Sequence, residues 1–194
     1  MISSTRSRTP VVDVVGHMDR SILRQLTAHP GTAKAAFVER VAPLADHVKP
    51  WLVATPILLA VRRRPRSVLR AWLAMVLAAA ASATASAAIG RDRPAAVVRD
   101  RAHAADRPAS RSMPSTHTAN AAAFVAALAV DDRDAMFALL PVAAFVAWTR
   151  VAAARHYPSD VAVGALLGAA IGSVVTRATV WLAGHPGRAG RSGS

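Results

Sequence analysis

Between Arg70 and Arg91 the chain carries 20 consecutive residues without a charge, Ala71 to Gly90. As a helix, that run is long enough to cross about 30 Å of hydrocarbon, and it restricts the fold more than any other feature. Three further uncharged runs follow: 19 residues from Ser112 to Val130, 15 from Ala135 to Thr149 and 16 from Val161 to Thr176. Each lengthens when bordering arginines extend their heads into the headgroup layer. Pro50 to Val61 adds a fifth run of 12 residues, extended by His47 and Lys49 at headgroup depth. Trp51, Trp72, Trp148, Trp181 and Tyr157 stand near the ends of these runs, the depth that amphipathic rings prefer. The pattern predicts an all-α integral membrane helical bundle with about five transmembrane helices. A soluble bundle would instead have to bury four uncharged helices completely within one small domain.

The remaining composition excludes several classes. With 194 residues the chain suits a single domain, and its 53% hydrophobic content is incompatible with general disorder. The absence of cysteine removes disulfide scaffolds, thiolate metal sites and cysteine nucleophiles. A net charge of +13 could signal nucleic acid, but the basic residues punctuate apolar runs rather than cluster on a soluble domain, so no nucleic-acid partner is expected. Residues 1–46 form an N-terminal segment without the charged and apolar regions of a cleavable signal peptide. Within it Phe37, Val38, Val41, Leu44 and Ala45 recur at helical spacing, with Lys34, Glu39, Arg40 and Asp46 on other faces. That pattern predicts an interfacial amphipathic helix. Residues 47–183 are expected to form the transmembrane domain, and residues 184–194, rich in glycine and arginine, a disordered tail.

If five segments cross in turn, the connection from Arg91 to Met113 shares a membrane face with the one from Arg150 to Asp160. Arg91, Arg93, His117, Arg150, Arg155, His156 and Asp160 are thereby gathered at one rim. Pro114-Ser115-Thr116-His117 reads as a helix start, where free N–H groups and the helix dipole favour an anion such as phosphate. Arg93 and Arg150 can each present a planar fork to phosphoryl oxygens. His156 and Asp160 are four residues apart, on one helix face, so the carboxylate can hold an imidazole N–H and orient the other ring nitrogen. Singly, each of these has an ordinary structural explanation. Together they form a polar cluster that is costly beside hydrocarbon unless it has a function.

These residues resemble the motifs of the type 2 phosphatidic acid phosphatase family, membrane lipid phosphatases related in fold to vanadium haloperoxidases. The family carries Lys-x6-Arg-Pro, then Pro-Ser-Gly-His, then Ser-Arg-x5-His-x3-Asp. This chain has Arg93-Pro94, then Pro114-Ser115-Thr116-His117, then Thr149-Arg150, five residues, His156, three residues and Asp160. The resemblance covers about residues 46–183. It implies that His156 is the nucleophile and forms a phosphohistidine, that Asp160 orients and polarises it, and that His117 protonates the leaving group and then activates water. Arg93, Arg150, Ser115 and the amides around Thr116 and His117 would bind the phosphoryl oxygens, with no metal or other cofactor. The chain departs from the family in three places. Ser86 stands where the family has lysine, and Arg91 lies close enough in sequence to supply the missing charge. Thr116 replaces the glycine, and Thr149 replaces serine but keeps its hydroxyl.

The resemblance therefore implies a multi-pass cell-membrane enzyme whose partners are membrane lipids and a lipid phosphate. Phosphatidate, phosphatidylglycerol phosphate, a polyprenyl diphosphate and a polyprenyl sugar phosphate all meet that description. A phosphotransferase using the same histidine is the neighbouring reading, and a weakly catalytic binding or scaffold protein the more distant one. Charge counting gives 15 Lys and Arg to the motif face and 9 to the other. However, five arginines without an acid are packed into residues 62–70 of that other face. The resemblance favours an extracytoplasmic site.

Overall fold

A computed structural model describes residues 10–29, 31–46, 48–94 and 111–184, and every regular element among them is a helix. In chain order these are α1 (Pro10–Leu26), α2 (Ala33–Val41), α3 (Lys49–Arg62), α4 (Pro65–Ile89), α5 (Thr116–Leu128), α6 (Arg133–Ala152) and α7 (Pro158–Gly184). The expected tail after Gly184 lies outside the described residues.

Local chemistry sets the boundaries. Thr32 caps α2 by accepting from the Ala35 amide at 3.2 Å, and Asp132 caps α6 by accepting from the Ala135 amide at the same distance. Pro65 occupies the first turn of α4, where its missing N–H has no consequence. At the other end Gly90 takes the left-handed conformation, φ 68°, and its N–H bonds to the Ser86 carbonyl, the conformation for which glycine is favoured at a helix end.

α4, α6 and α7, with 25, 20 and 27 residues, are each long and apolar enough to cross a membrane. Leu52, Ile57, Leu69, Val76, Leu166 and Val174 are all more than half exposed. So broad an apolar belt is what a lipid-facing surface presents. The chain is thus a membrane protein with an all-helical bundle fold. The other two expected spans are shorter. α3 has 14 residues and α5 has 13, which gives α5 a length of only about 20 Å. α5 loses length because Pro114 and Ser115 stand before the helix rather than within it. Nine of its residues are buried, and it forms the interior of the bundle, packed mainly on α7 and α4.

The α5–α7 contact depends on three glycines one turn apart. A Cβ placed on Gly164, Gly168 or Gly172 would come within 2.6, 2.0 and 2.5 Å of the carbonyl oxygens of Ser115, Ala119 and Ala123. Only the absence of side chains allows this approach, the small-residue packing common between membrane helices. Trp51 differs from the expectation that it lies at headgroup depth. It is fully buried, stacked on Phe124 at 4.7 Å, with Trp72 edge-on to the same ring at 6.1 Å. At the end remote from the motifs, Arg62 bonds Asp132 and Asp134, and Arg70 pairs with Asp131. The α5–α6 turn is thereby tied to α3 and α4.

The N-terminal segment holds more than the one expected helix. α2 stops at Val41, so Leu44 and Ala45 lie in the following turn. α1 was not anticipated. It exposes Val14, Val15, Met18 and Ile22 as an apolar stripe while burying Asp19 and Leu23.

Candidate active site

Three elements deliver the motif residues to one end of the bundle. Arg93 follows α4, His117 lies in the first turn of α5, and His156 sits in the turn between α6 and α7. All three line a single cavity of about 530 Å³, together with Ser86, Thr116, Asn120 and Arg111. The α5 start is pinned to the α7 start by the Ser115 amide, which donates to the Asp160 carbonyl at 3.0 Å.

His156 is 2% exposed. Its Nδ1 lies 2.7 Å from the Ser112 carbonyl oxygen. A carbonyl can only accept, so Nδ1 carries the proton and Nε2 keeps its lone pair. An Arg93 Nη stands 3.3 Å from that Nε2 and also donates to the Arg155 carbonyl at 3.1 Å. Burial pushes the His156 imidazole below its ordinary pKa. The Asp160 carboxylate and the Ser112 carbonyl oppose that shift, and the nearby Arg93 guanidinium adds to it. A neutral imidazole with one free ring nitrogen, aimed at a guanidinium, is chemically a nucleophile beside an anion-binding group.

The Asp160 contact differs from the one read from the sequence. Its Oδ2 is 3.8 Å from His156 Nδ1, beyond hydrogen-bond reach, and accepts instead from the Tyr157 amide at 2.8 Å. Its Oδ1 accepts from Arg91 at 2.7 Å. The direct acceptor for the His156 ring is thus the Ser112 main chain, with Asp160 acting through its field and by shaping the turn.

Arg91 also departs from expectation. It does not line the cavity in place of the missing lysine. One Nη donates to Ser159 and Asp160, each at 2.7 Å, the other to Asp19 at 2.6 Å, and the guanidinium lies 4.2 Å over the Tyr157 ring. Asp19, 3% exposed, additionally accepts from the Ser159 amide and hydroxyl at 2.9 and 2.6 Å. Arg91 therefore couples α1 to the carboxylate beside His156. Two carboxylates already occupy its fork.

Arg150 and Ser115 likewise do not line the cavity. Arg150 is fully buried; it donates to Asp46 at 2.9 Å, to the Ala42 carbonyl at 3.1 Å and to the Thr149 hydroxyl. The Ser115 hydroxyl, also fully buried, accepts from Thr118 at 3.1 Å. Thr116, by contrast, does line the cavity. Asp46, assigned by sequence pattern to a polar helix face, is a central partner here. One of its oxygens lies 2.9 Å from both His117 Nε2 and an Arg150 Nη, with Arg155 at 3.9 Å. Spacing could not have found Asp46 or Asp19, because each reaches the site from an N-terminal segment carrying no motif. Among the described residues no three His, Asp or Glu side chains converge as metal ligands.

The arrangement sets a buried ring nitrogen, a second imidazole with a carboxylate partner and a guanidinium around one cavity, chemistry suited to taking up and releasing a phosphoryl group. Known proteins agree on the architecture. The fold is similar to the crystal structure of Aquifex aeolicus LpxE, with a TM-score of 0.64 and 23% identity over 91% of this chain and 99% of that one. It is also similar to a transmembrane PAP2-type phosphatidylglycerolphosphate phosphatase from Bacillus subtilis, with a TM-score of 0.59 and 18% identity over 93% and 90% of the two chains. Among curated protein sequences none matches significantly. The sequence profile of the PAP2 superfamily matches residues 67–183, the stretch that contains all three motifs and nearly all of the three longest helices, and the chain belongs to that superfamily.

Proposed function

We propose that this protein is a membrane lipid phosphatase that hydrolyses a lipid phosphoester by double displacement at His156. The observation that carries the reading is the buried His156 ring, its Nδ1 proton held by Ser112 and its Nε2 beside Arg93, in one cavity with His117. The Nε2 lone pair attacks phosphorus as the ester P–O bond breaks, and His117 gives a proton to the departing alkoxide. Arg93 moves from Nε2 onto the phosphoryl oxygens, where a planar guanidinium stabilises the charge of the transition state. Water then attacks the phosphohistidine, His117 takes its proton, and the P–N bond pair returns to Nε2 as inorganic phosphate leaves. Asp46, 2.9 Å from His117, stabilises the protonated ring that the first step requires.

The lipid character of the substrate follows from the site's place at one end of a lipid-facing bundle, where a headgroup can enter while its chains stay in the bilayer. The two similar structures, one of them described as a phosphatidylglycerolphosphate phosphatase, favour the same class. The reading puts the site on the extracytoplasmic side and leaves the arginines of residues 62–70 to the cytoplasm. A C-terminal reporter fusion active outside the cell would contradict that orientation. The activity is tested by phosphate release from a panel of lipid phosphates in detergent, comparing the parent with His156→Ala. Release by the parent and its loss in the variant support the reading. Equal release by both refutes it, and product phosphorylated on an added alcohol would identify transfer rather than hydrolysis.

A further inference from the structure

The cavity wall is of two kinds. His156, Arg93, Arg111 and His117 supply its basic side chains, while Ser86 on α4 and Asn120 on α5 supply uncharged polar groups, among alanines. Asn120 is only 9% exposed, and its Oδ1 has no hydrogen-bond partner among the described residues. Ser82, one helical turn from Ser86 on the same face of α4, is fully buried, and its hydroxyl is also unpartnered. Leaving a buried polar atom unpaired is unfavourable, and such groups are rare in folded proteins. Of the two, Asn120 lines the reactive cavity, and its unpaired oxygen calls for a ligand there that satisfies it.

We infer that Asn120 and Ser86 form an uncharged hydrogen-bonding subsite. It receives a hydroxyl or ester oxygen carried by the substrate's leaving group next to the phosphoester. The inference rests on the phosphatase reading above and narrows its substrate class. Asn120 follows His117 by three residues, a rise of about 4.5 Å along α5. A proton donor for the ester oxygen and an amide for the next oxygen along the leaving group are thus stacked on one helix. Rotating the Asn120 amide exchanges its oxygen and NH2, so it can accept from a hydroxyl or donate to an ester carbonyl. Ser86 can do either as well. The same pair gives the departure from the family lysine a consequence: a second phosphate beside Ser86 and Asn120 would find neutral groups, whereas a glycerol- or sugar-type oxygen finds partners. The subsite therefore selects a monophosphate of an oxygen-bearing headgroup over an alkyl phosphate, whose carbon chain near the ester offers no such atom, and over a prenyl diphosphate, whose leaving phosphate brings a charge to uncharged partners.

The test uses the full chain in detergent and three phosphates of matched chain length: an acylglycerol 3-phosphate, an n-alkyl phosphate and a prenyl diphosphate. It measures kcat/KM for each and, separately, the Kd of the non-hydrolysable phosphonates of the first two. The acylglycerol compound is expected to show a kcat/KM about tenfold above that of the alkyl compound, and its phosphonate a Kd about tenfold below, since each added hydrogen bond supplies a few-fold. Asn120→Leu and Ser86→Ala are each expected to lower that preference about threefold. If Asn120→Leu fails to fold, Ser86→Ala decides. A parent ratio near one, a preference for the diphosphate, or ratios unmoved by the substitutions would overturn the subsite. Absent turnover with the phosphonate ratio intact would count against the phosphatase reading but leave the subsite standing.

Discussion

The glycine seam of α7 offers a demanding test because it acts on the site from within the bundle. Gly168 lies at the middle of that seam, and an added Cβ would stand 2.0 Å from the Ala119 carbonyl oxygen and 2.9 Å from its Cα. Ordinary contact begins near 3.4 Å, so Gly168→Ala requires α5 and α7 to part by more than 1 Å. The obstacle is backbone rather than a pliable side chain. Overpacking therefore reaches the upper part of its usual range, about 3 kcal/mol, which corresponds to a fall in Tm of roughly 6–12 °C for a chain this long. The separation also alters the site. α5 carries His117, α7 begins beside His156, and the Ser115 amide to Asp160 carbonyl bond joins the two starts at 3.0 Å. A displacement of that size between reacting groups costs on the order of 100-fold in rate. The assay is phosphate release from a lipid phosphate together with thermal unfolding in detergent. Gly184→Ala serves as the control, since nothing lies within 4 Å of a Cβ there. If Gly168→Ala keeps both the parent rate and the parent Tm, the close α5–α7 approach does not hold the site together and the reasoning is wrong.

Four other outcomes follow from the geometry. Arg91→Ala leaves buried Asp160 and Asp19 without their shared guanidinium; stability should fall by on the order of 3 kcal/mol and activity with it. Arg91→Lys should rescue only in part, since an ammonium cannot reproduce the two-armed bridge. Asp46→Ala strips the fully buried Arg150 of its carboxylate and should lower Tm and cut kcat/KM by roughly 10- to 100-fold, with Asp46→Asn recovering part because its amide oxygen still accepts. Because burial holds His156 below the ordinary imidazole value, the nucleophile stays neutral through the usual histidine range. The acid limb of kcat/KM should therefore lie below that range. The unfolded chain takes up this proton more readily, so stability should decline as pH drops through the unfolded value; an acid limb at or above the ordinary value would contradict the burial argument. Ser86→Lys should raise kcat/KM for a prenyl diphosphate relative to a monophosphate about tenfold, by placing a charge on the neutral wall.

Much of the fold was legible because charge placement is a direct record of what a bilayer excludes. The uncharged runs located α4, α6 and α7, and alternate crossing predicted that Arg93, His117 and His156 meet at one end, where they line one cavity. Hydropathy could not shorten α5, because the backbone interruption at Pro114 and Ser115 lies inside an uncharged run and leaves no mark on its polarity. Trp51 was misplaced for a related reason: interfacial preference is an average over rings, whereas the stack on Phe124 belongs to one tertiary contact. Within the site, which motif residues line one cavity was readable, but their partners were not. The i,i+4 spacing put Asp160 on the same face as His156, yet the nearer acceptor is a main-chain carbonyl, which no side-chain pattern reveals. Sequence alone offers Arg150 as a fork and Arg91 as a charge for phosphate, because their carboxylates, Asp46 and Asp19, come from segments far away in the chain.

The central claim is that His156 takes the phosphoryl group onto its own ring nitrogen. Turnover of a lipid phosphate labelled in phosphorus, quenched in alkali to preserve an acid-labile phosphoramidate and followed by peptide mass spectrometry, tests it directly. Label is expected on the peptide containing His156, removed by acid and absent from His156→Ala. Label on another residue, or full turnover with His156→Ala, would contradict it.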